Sequence, residues 1–399
     1  MDDARRHFTY AAIMLATMAG VMLPVRALNG MLGARSLGNG AAVRHASAWQ
    51  QATHGITYAP PLSNTRPFKS ARLRERLPAI DTVVFGSSTA MGITQGLFRE
   101  GASVYNFAQT GNGLAAALAE ARYIERTQPQ VRKLVIPLDW ALGFLYEPAG
   151  DIAGELAPAS PDDEAPAQVS LAQQFQDALS LPRVKNLFSL LKDVVRAPSP
   201  AAAFRAAFLQ EAGDDYRCAD GSPARDYDTI FRGTCTGFRF DGSATFANLE
   251  PVTRQRAASL IAGAVVASSK YALALTRSRG APGGNVLLQL EALARAMRAR
   301  GGDVLLFMPP LLPGLERALL AAPHTATPLA RTRQLLDDWA RARRLTILDA
   351  GQSERFGCTS GEFVDEHHAL PACYARVFAH YWQDLRATGG LRAGLYHPD

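Results

Sequence analysis

The fold of this chain is decided by the stretch TVVFGSST, residues Thr82 to Thr89. Its β-branched and aromatic residues predict a short buried strand over residues 82–87. Small hydroxyl residues follow at the carboxyl end of that strand, where α/β folds bind their ligands. A serine in such a turn can expose its hydroxyl beside its own backbone N–H, as a nucleophile requires. The alternative is that Ser87 and Ser88 only cap the next helix.

A second motif, Asp-x-x-His, lies at Asp365 and His368. A carboxylate can orient one imidazole nitrogen while the other nitrogen accepts the proton of a serine hydroxyl. Either motif alone is weak evidence, but the two together predict a Ser-His-Asp triad of Ser88, His368 and Asp365.

The order and content of these motifs resemble the SGNH/GDSL hydrolase superfamily. The resemblance covers residues 81–140 and 286–388 and implies that Ser88 is the nucleophile and that His368, not its neighbour His367, is the base. It also implies that the N–H of Gly111, after the strand-Asn block at 104–111, binds the oxyanion. No cofactor or metal ion is implied.

The third block of that superfamily, Gly-x-Asn, is missing from this chain. Asp139 stands after the third strand instead, and an ionised carboxylate cannot donate to an oxyanion. Asn112 is a possible substitute donor. Asp139 is interpreted as a helix cap at a strand end, and a catalytic role is the alternative. Cell-envelope branches that acylate alginate-like polymers or help to D-alanylate teichoic acid also depart from this block, and the chain looks most like those branches.

The excess of positive charge lies near the N-terminus. Of the 399 residues, the first 80 carry ten Lys and Arg against three Asp and Glu, whereas the remainder carries 32 against 33. No basic face with interleaved aromatics is visible, which argues against a nucleic-acid-binding protein.

Residues 8–25 are uncharged and long enough to span a bilayer. We therefore predict a signal anchor or cleaved signal peptide at residues 1–28, a tether and lead-in at 29–80, and export.

Four cysteines form two local pairs without Cys-x-x-Cys spacing, which argues against zinc. Cys218–Cys235 and Cys358–Cys373 are the simplest disulfides, although three pairings are possible. The second loop would enclose Asp365 and His368.

Short apolar runs alternate with helical segments on either side of residues 145–280, which predicts an α/β domain over residues 81–399 with a doubly wound parallel sheet. The resembled family implies a flavodoxin-like order of five strands. The predicted strands are residues 82–87, 103–108, 134–138, 304–308 and 345–348. The predicted helices include residues 114–127, 184–195, 201–210, 254–275, 286–300, 329–343 and 374–385. Residues 145–280 are predicted to be a largely helical insertion, either a cap over the catalytic edge or a segment packed outside.

Three functions fit these patterns. The first is an exported, membrane-tethered O-acyltransferase on a cell-envelope or extracellular polysaccharide, facing the periplasm from the inner membrane or secreted after cleavage. Its partner would be a membrane-bound O-acyltransferase. The second is a carbohydrate esterase or lipase with the same triad. The third is a non-catalytic assembly protein on the same scaffold, because a fold does not determine a function.

Overall fold

A computed structural model describes residues 2–33, 40–58, 65–139, 152–156, 181–196, 198–204, 217–225, 235–247, 249–266, 285–388 and 391–398. The chain forms two compact units. The first comprises residues 1–68 and 158–237, and the second comprises residues 69–157 and 238–399.

The described strands, in chain order, are β1 Ile56–Thr57, β2 Thr82–Val84, β3 Val104–Asn106, β4 Lys133–Pro137, β5 Ala224–Arg225, β6 Asp303–Met308, β7 Thr346–Asp349 and β8 Gly394–Tyr396. The described helices are α1 Asp2–Gly33, α2 Gly40–Thr53, α3 Arg66–Arg76, α4 Leu114–Thr127, α5 Ile152–Leu156, α6 Leu181–Arg196, α7 Pro200–Phe204, α8 Arg254–Val266, α9 Val286–Ala299, α10 Leu315–Ala321, α11 Ala326–Ala342 and α12 Pro371–Thr388.

The second unit is built on a parallel sheet of six strands in the order β3-β2-β4-β6-β7-β8. Its inner strands are continuous apolar runs buried on both faces, as in Val304 to Met308 of β6. Helices α4, α9 and α11 bury one apolar face each, and α12 buries Tyr374, Val377 and Phe378. The predicted α/β class with a parallel sheet is therefore confirmed.

The prediction of a five-stranded flavodoxin-like sheet is not confirmed, because the sheet has a sixth strand. β8 is only three residues long and begins with a glycine, so it lacks the apolar run that marks the other strands. Its register depends on a tertiary contact instead. The Leu395 N–H donates to Asp337 Oδ1 over 2.8 Å, and Tyr396 Oη donates to Asp384 Oδ2 over 2.6 Å.

The first unit contains the N-terminal helix. Residues His7–Leu28 of α1 are long and apolar enough to cross a membrane, and apolar side chains such as Phe8, Ile13 and Met14 are exposed. The end of α1 packs on the apolar face of α6, where Val25 and Leu28 contact the cluster of Leu187, Leu190 and Val194. Helix α1 thus has the length and composition of a membrane anchor or signal sequence.

Two predicted segment boundaries differ from the structure. Residues 29–65, predicted to be an irregular tether, include the end of α1 and the 14-residue helix α2. Trp49 of α2 is buried and leaves no room for a side chain at Gly55. This helix is thus stabilised by tertiary packing, which the composition of the segment does not reveal. The insertion 145–280 is divided between the units, since residues 158–237 belong to the first and 238–266 to the second. The predicted helical residues 205–210 and 267–275 lie outside the described residues.

Both predicted disulfides are present. Cys218 and Cys235 are joined in the first unit, with their Cα atoms 5.9 Å apart. Cys358 and Cys373 are joined in the second, with a Cα–Cα distance of 5.2 Å. Such bonds persist in oxidising compartments, in agreement with the predicted export.

Candidate active site

The turn after β2 is shaped by Gly86. Its φ of +119° lies in a region that favours glycine, and an added Cβ would lie 2.2 Å from Pro137 Cγ of β4. The chain then enters a short 3₁₀ turn over Ser88–Ala90. Ser87 caps this turn, because its Oγ accepts from the Thr89 N–H over 3.2 Å. The capping alternative thus describes Ser87, whereas Ser88 has a different partner.

The second half of the site is the loop between β7 and α12. Asp365 Oδ1 accepts from the backbone N–H groups of His367 and His368, over 2.9 and 2.8 Å. These bonds tie the carboxylate to the loop that carries the imidazole. The Cys358–Cys373 disulfide closes a loop around both residues, so the carboxylate and imidazole are held together by local covalent and hydrogen-bonded constraints.

The two halves meet at the carboxyl edge of the sheet. Ser88 Oγ lies 2.8 Å from His368 Nε2, and His368 Nδ1 lies 2.6 Å from Asp365 Oδ2. The predicted convergence of Ser88, His368 and Asp365 is therefore observed, across 280 residues of sequence. In this arrangement the imidazole can remove the serine proton while the carboxylate fixes its tautomer.

Electrostatics keep the carboxylate of this triad ionised. Burial alone would raise the pKa of Asp365, but the hydrogen bond and charge of His368 and the charge of His367 outweigh it. The pKa of Asp365 consequently lies far below its ordinary value. An ionised Asp365 stabilises the imidazolium that forms when His368 accepts a proton.

Asp139 has a role that the sequence did not predict. Its Oδ2 accepts hydrogen bonds from Ser87 Oγ over 3.0 Å and from Thr89 Oγ1 over 2.7 Å. These two hydroxyls flank Ser88, so the buried carboxylate braces the turn that carries Ser88. The segment that Asp139 was predicted to cap begins at Trp140, which lies outside the described residues.

Asn106, the last residue of β3, also bonds to this turn. The buried Asn106 amide donates to the carbonyls of Ala90 and Ile93, over 2.9 and 2.8 Å. The fully buried Lys69 Nζ donates to the carbonyls of Asn106 and Gly242. Burial lowers the pKa of Lys69 to about 7, although the charge of Asp241 opposes this. No sequence signal distinguishes Lys69 from the basic residues around it.

The predicted oxyanion donors follow β3, which pairs with β2 in the sheet. Gly111 is exposed and has a φ of +72°. The Asn112 side-chain amide donates to Glu120 Oε2 over 3.1 Å. This bond links the residues before α4 to the second turn of that helix. The assignment of Gly111 and Asn112 to an oxyanion hole stays a prediction.

His367 lies directly beside His368. Its ring packs on the His368 ring with a centroid distance of 4.4 Å, and Nδ1 lies 3.6 Å from Glu366 Oε1. Burial would lower the pKa of His367, but the carboxylates of Glu366 and Asp365 raise it. Asp365, His367 and His368 also offer ligand atoms within 4.8 Å of one another. The 2.6 Å contact between His368 Nδ1 and Asp365 Oδ2 is the one that a triad requires.

One segment of the predicted insertion contacts both halves of the site. We call residues 238–247 and 249–252 the covering segment. The Ala244 N–H donates to the Met91 carbonyl, just after Ser88, and the Val252 N–H donates to the Phe363 carbonyl, just before Asp365. Between these anchors, the Phe246 ring lies with its centroid 6.3 Å from that of His368. This part of the insertion therefore lies at the edge of the sheet that carries Ser88 and His368.

Comparison of the chain with protein-family models, with curated proteins and with solved structures found no match.

Proposed function

We propose that this protein is a serine acyltransferase that forms an acyl-enzyme on Ser88. The observation that carries the proposal is the continuous chain of hydrogen bonds from Ser88 Oγ through His368 to Asp365. In the first half-reaction Ser88 Oγ attacks the acyl carbonyl carbon and His368 Nε2 takes the hydroxyl proton. That proton then passes to the leaving oxygen as the ester bond breaks.

In the second half-reaction an acceptor hydroxyl loses its proton to His368 Nε2 and attacks the acyl group on Ser88. The proton returns to Ser88 Oγ as the acyl–serine bond breaks. The backbone N–H groups of Ser88 and Gly111, with Asn112 as a further donor, would stabilise the oxyanion in both steps. Asp139 acts indirectly, because it holds the hydroxyls of Ser87 and Thr89 on either side of the nucleophile.

The proposed acceptor is an extracellular or cell-envelope polysaccharide. The motifs at residues 81–140 and 286–388 resemble the polymer-acylating branches of the SGNH/GDSL superfamily. Asp139 stands where the superfamily has its third block, from which those branches also depart. Helix α1 would anchor the enzyme in the inner membrane with its triad in the periplasm, in agreement with the two disulfides. A membrane-bound O-acyltransferase would supply the acyl group there, since tethering raises the effective concentration of the donor.

Transfer and hydrolysis share the first half-reaction, so the test follows the fate of the acyl group. Purified full-length protein is given an activated acetyl ester and a sugar oligomer, and the acetyl group is followed by mass spectrometry. We expect acetylated oligomer in an amount that rises with acceptor concentration, and none with Ser88→Ala. Free acetate as the sole product at all acceptor concentrations would replace this proposal with a carbohydrate esterase.

A further inference from the structure

The covering segment places an aromatic side chain beside the catalytic imidazole. The Phe246 ring is partly exposed and tilted by 49° against His368, with a centroid distance of 6.3 Å. Its backbone has a φ of +53°, a conformation that non-glycine residues seldom adopt. Strained residues of this kind persist where the surrounding structure holds them, often beside a site.

The surrounding structure does hold Phe246 in place. The covering segment is hydrogen-bonded to Met91 on one side and to Phe363 on the other. Asp241 adds two anchors, because its carbonyl accepts from the Asn106 N–H and its Oδ2 accepts from the Gln95 N–H, each over 2.7 Å. The ring is therefore fixed to the same elements that carry Ser88, Asp365 and His368.

The position of Phe246 determines which part of a substrate it meets. His368 Nε2 exchanges protons with the leaving or accepting oxygen, so the alcohol part of an ester must bind beside this imidazole. The acyl oxygen points instead toward the backbone N–H donors. A ring packed beside His368 therefore lies on the alcohol side of the site.

We infer that Phe246 forms a pyranose-binding subsite that positions the acceptor sugar; this inference rests on the acyl transfer proposed above. An aromatic face is electron-rich, and it favours contact with electropositive hydrogens. The C–H groups on one face of a pyranose ring provide such hydrogens over a flat area, whereas an acyclic polyol presents no such face. Phe246 is thus a specificity residue that selects ring sugars over other alcohols.

The first test measures acceptor choice within a single sample. Full-length enzyme is acetylated with vinyl acetate, a donor without a sugar, in an equimolar mixture of methyl β-glucopyranoside and sorbitol. We expect wild type to acetylate the pyranoside preferentially. Phe246→Leu should lower the pyranoside-to-sorbitol product ratio at least tenfold. Phe246→Tyr, which keeps an aromatic ring, should retain most of the wild-type ratio. Leu288→Ala, at an exposed apolar residue of α9, is the matched control and should keep the wild-type ratio.

The second test does not depend on chemistry. Saturation-transfer NMR measures binding of methyl β-glucopyranoside to Ser88→Ala and to the double variant Ser88→Ala/Phe246→Leu. Loss of the signal in the double variant supports the subsite even if wild type forms no acyl-enzyme, in which case only the proposed function fails. An unchanged product ratio in Phe246→Leu, or an unchanged NMR signal in the double variant, overturns the inference.

Discussion

Removing the Asp139 carboxylate should weaken both the fold and the nucleophile. In Asp139→Ala, the hydroxyls of Ser87 and Thr89 lose an acceptor at 3.0 and 2.7 Å in a buried site. A hydrogen bond to a charged group contributes roughly 1.5–3 kcal/mol. The two hydroxyls lie 2.8 Å apart and can partly satisfy each other, so we expect a loss of about 2–4 kcal/mol in the free energy of unfolding.

The same change should slow attack by Ser88. The serine lies between the two braced hydroxyls, and displacement of a nucleophile by about 1 Å costs on the order of 100-fold in rate. The measurements are urea unfolding followed by circular dichroism and the rate of acylation by an activated ester. Asp139→Asn keeps an acceptor oxygen and should lose less of both. Asp338→Ala, which removes an exposed carboxylate bonded to Gln334, is the control.

Wild-type stability and acylation rate in Asp139→Ala would refute this reasoning. A variant with wild-type stability and a slow acylation rate would instead mean that the Asp139 hydrogen bonds position Ser88 without stabilising the fold.

Three further outcomes are expected. Gly86→Ala should cost about 2–5 kcal/mol of unfolding free energy, because the methyl group meets a proline ring at a φ of +119°, whereas Gly96→Ala, with no atom within 4 Å, should change urea unfolding little. Burial and the neighbouring Asp349 carboxylate raise the pKa of Glu316 to about 7, although its ion pair with Arg333 opposes this. The folded protein therefore holds a proton there that the unfolded chain releases above its ordinary pKa. The free energy of unfolding should therefore fall as the pH rises from about 4.5 to 7, and less steeply in Glu316→Gln. An equal slope in wild type and in Glu316→Gln would contradict the raised pKa of Glu316. Replacing Cys358 and Cys373 together by Ala should lower the free energy of unfolding by roughly 3 kcal/mol, and an unchanged urea midpoint would show that this loop needs no cross-link.

The sequence predicted the elements whose signals are local. β2, β6 and β7 each contain adjacent apolar residues, and α4 and α9 begin and end close to their predicted bounds. The triad was predictable because Ser88 follows a glycine at a strand end and because Asp365 and His368 are three residues apart.

What the sequence did not predict depends on distant contacts. β8 is fixed by Asp337, 58 residues earlier, and the brace on the nucleophile comes from Asp139, about 50 residues after Thr89 in sequence. Phe246 reaches His368 only because the covering segment crosses between both halves of the site. Residue type and spacing along the sequence do not reveal such contacts.

The central claim is that Ser88 is a nucleophile activated by His368 and Asp365. Its most direct test is labelling of the full-length protein with a fluorophosphonate probe, followed by peptide mapping. We expect one modified residue, Ser88, with labelling lost in His368→Ala and retained in Leu288→Ala. Absence of labelling in folded wild-type protein, or modification of Ser87 in place of Ser88, would contradict it.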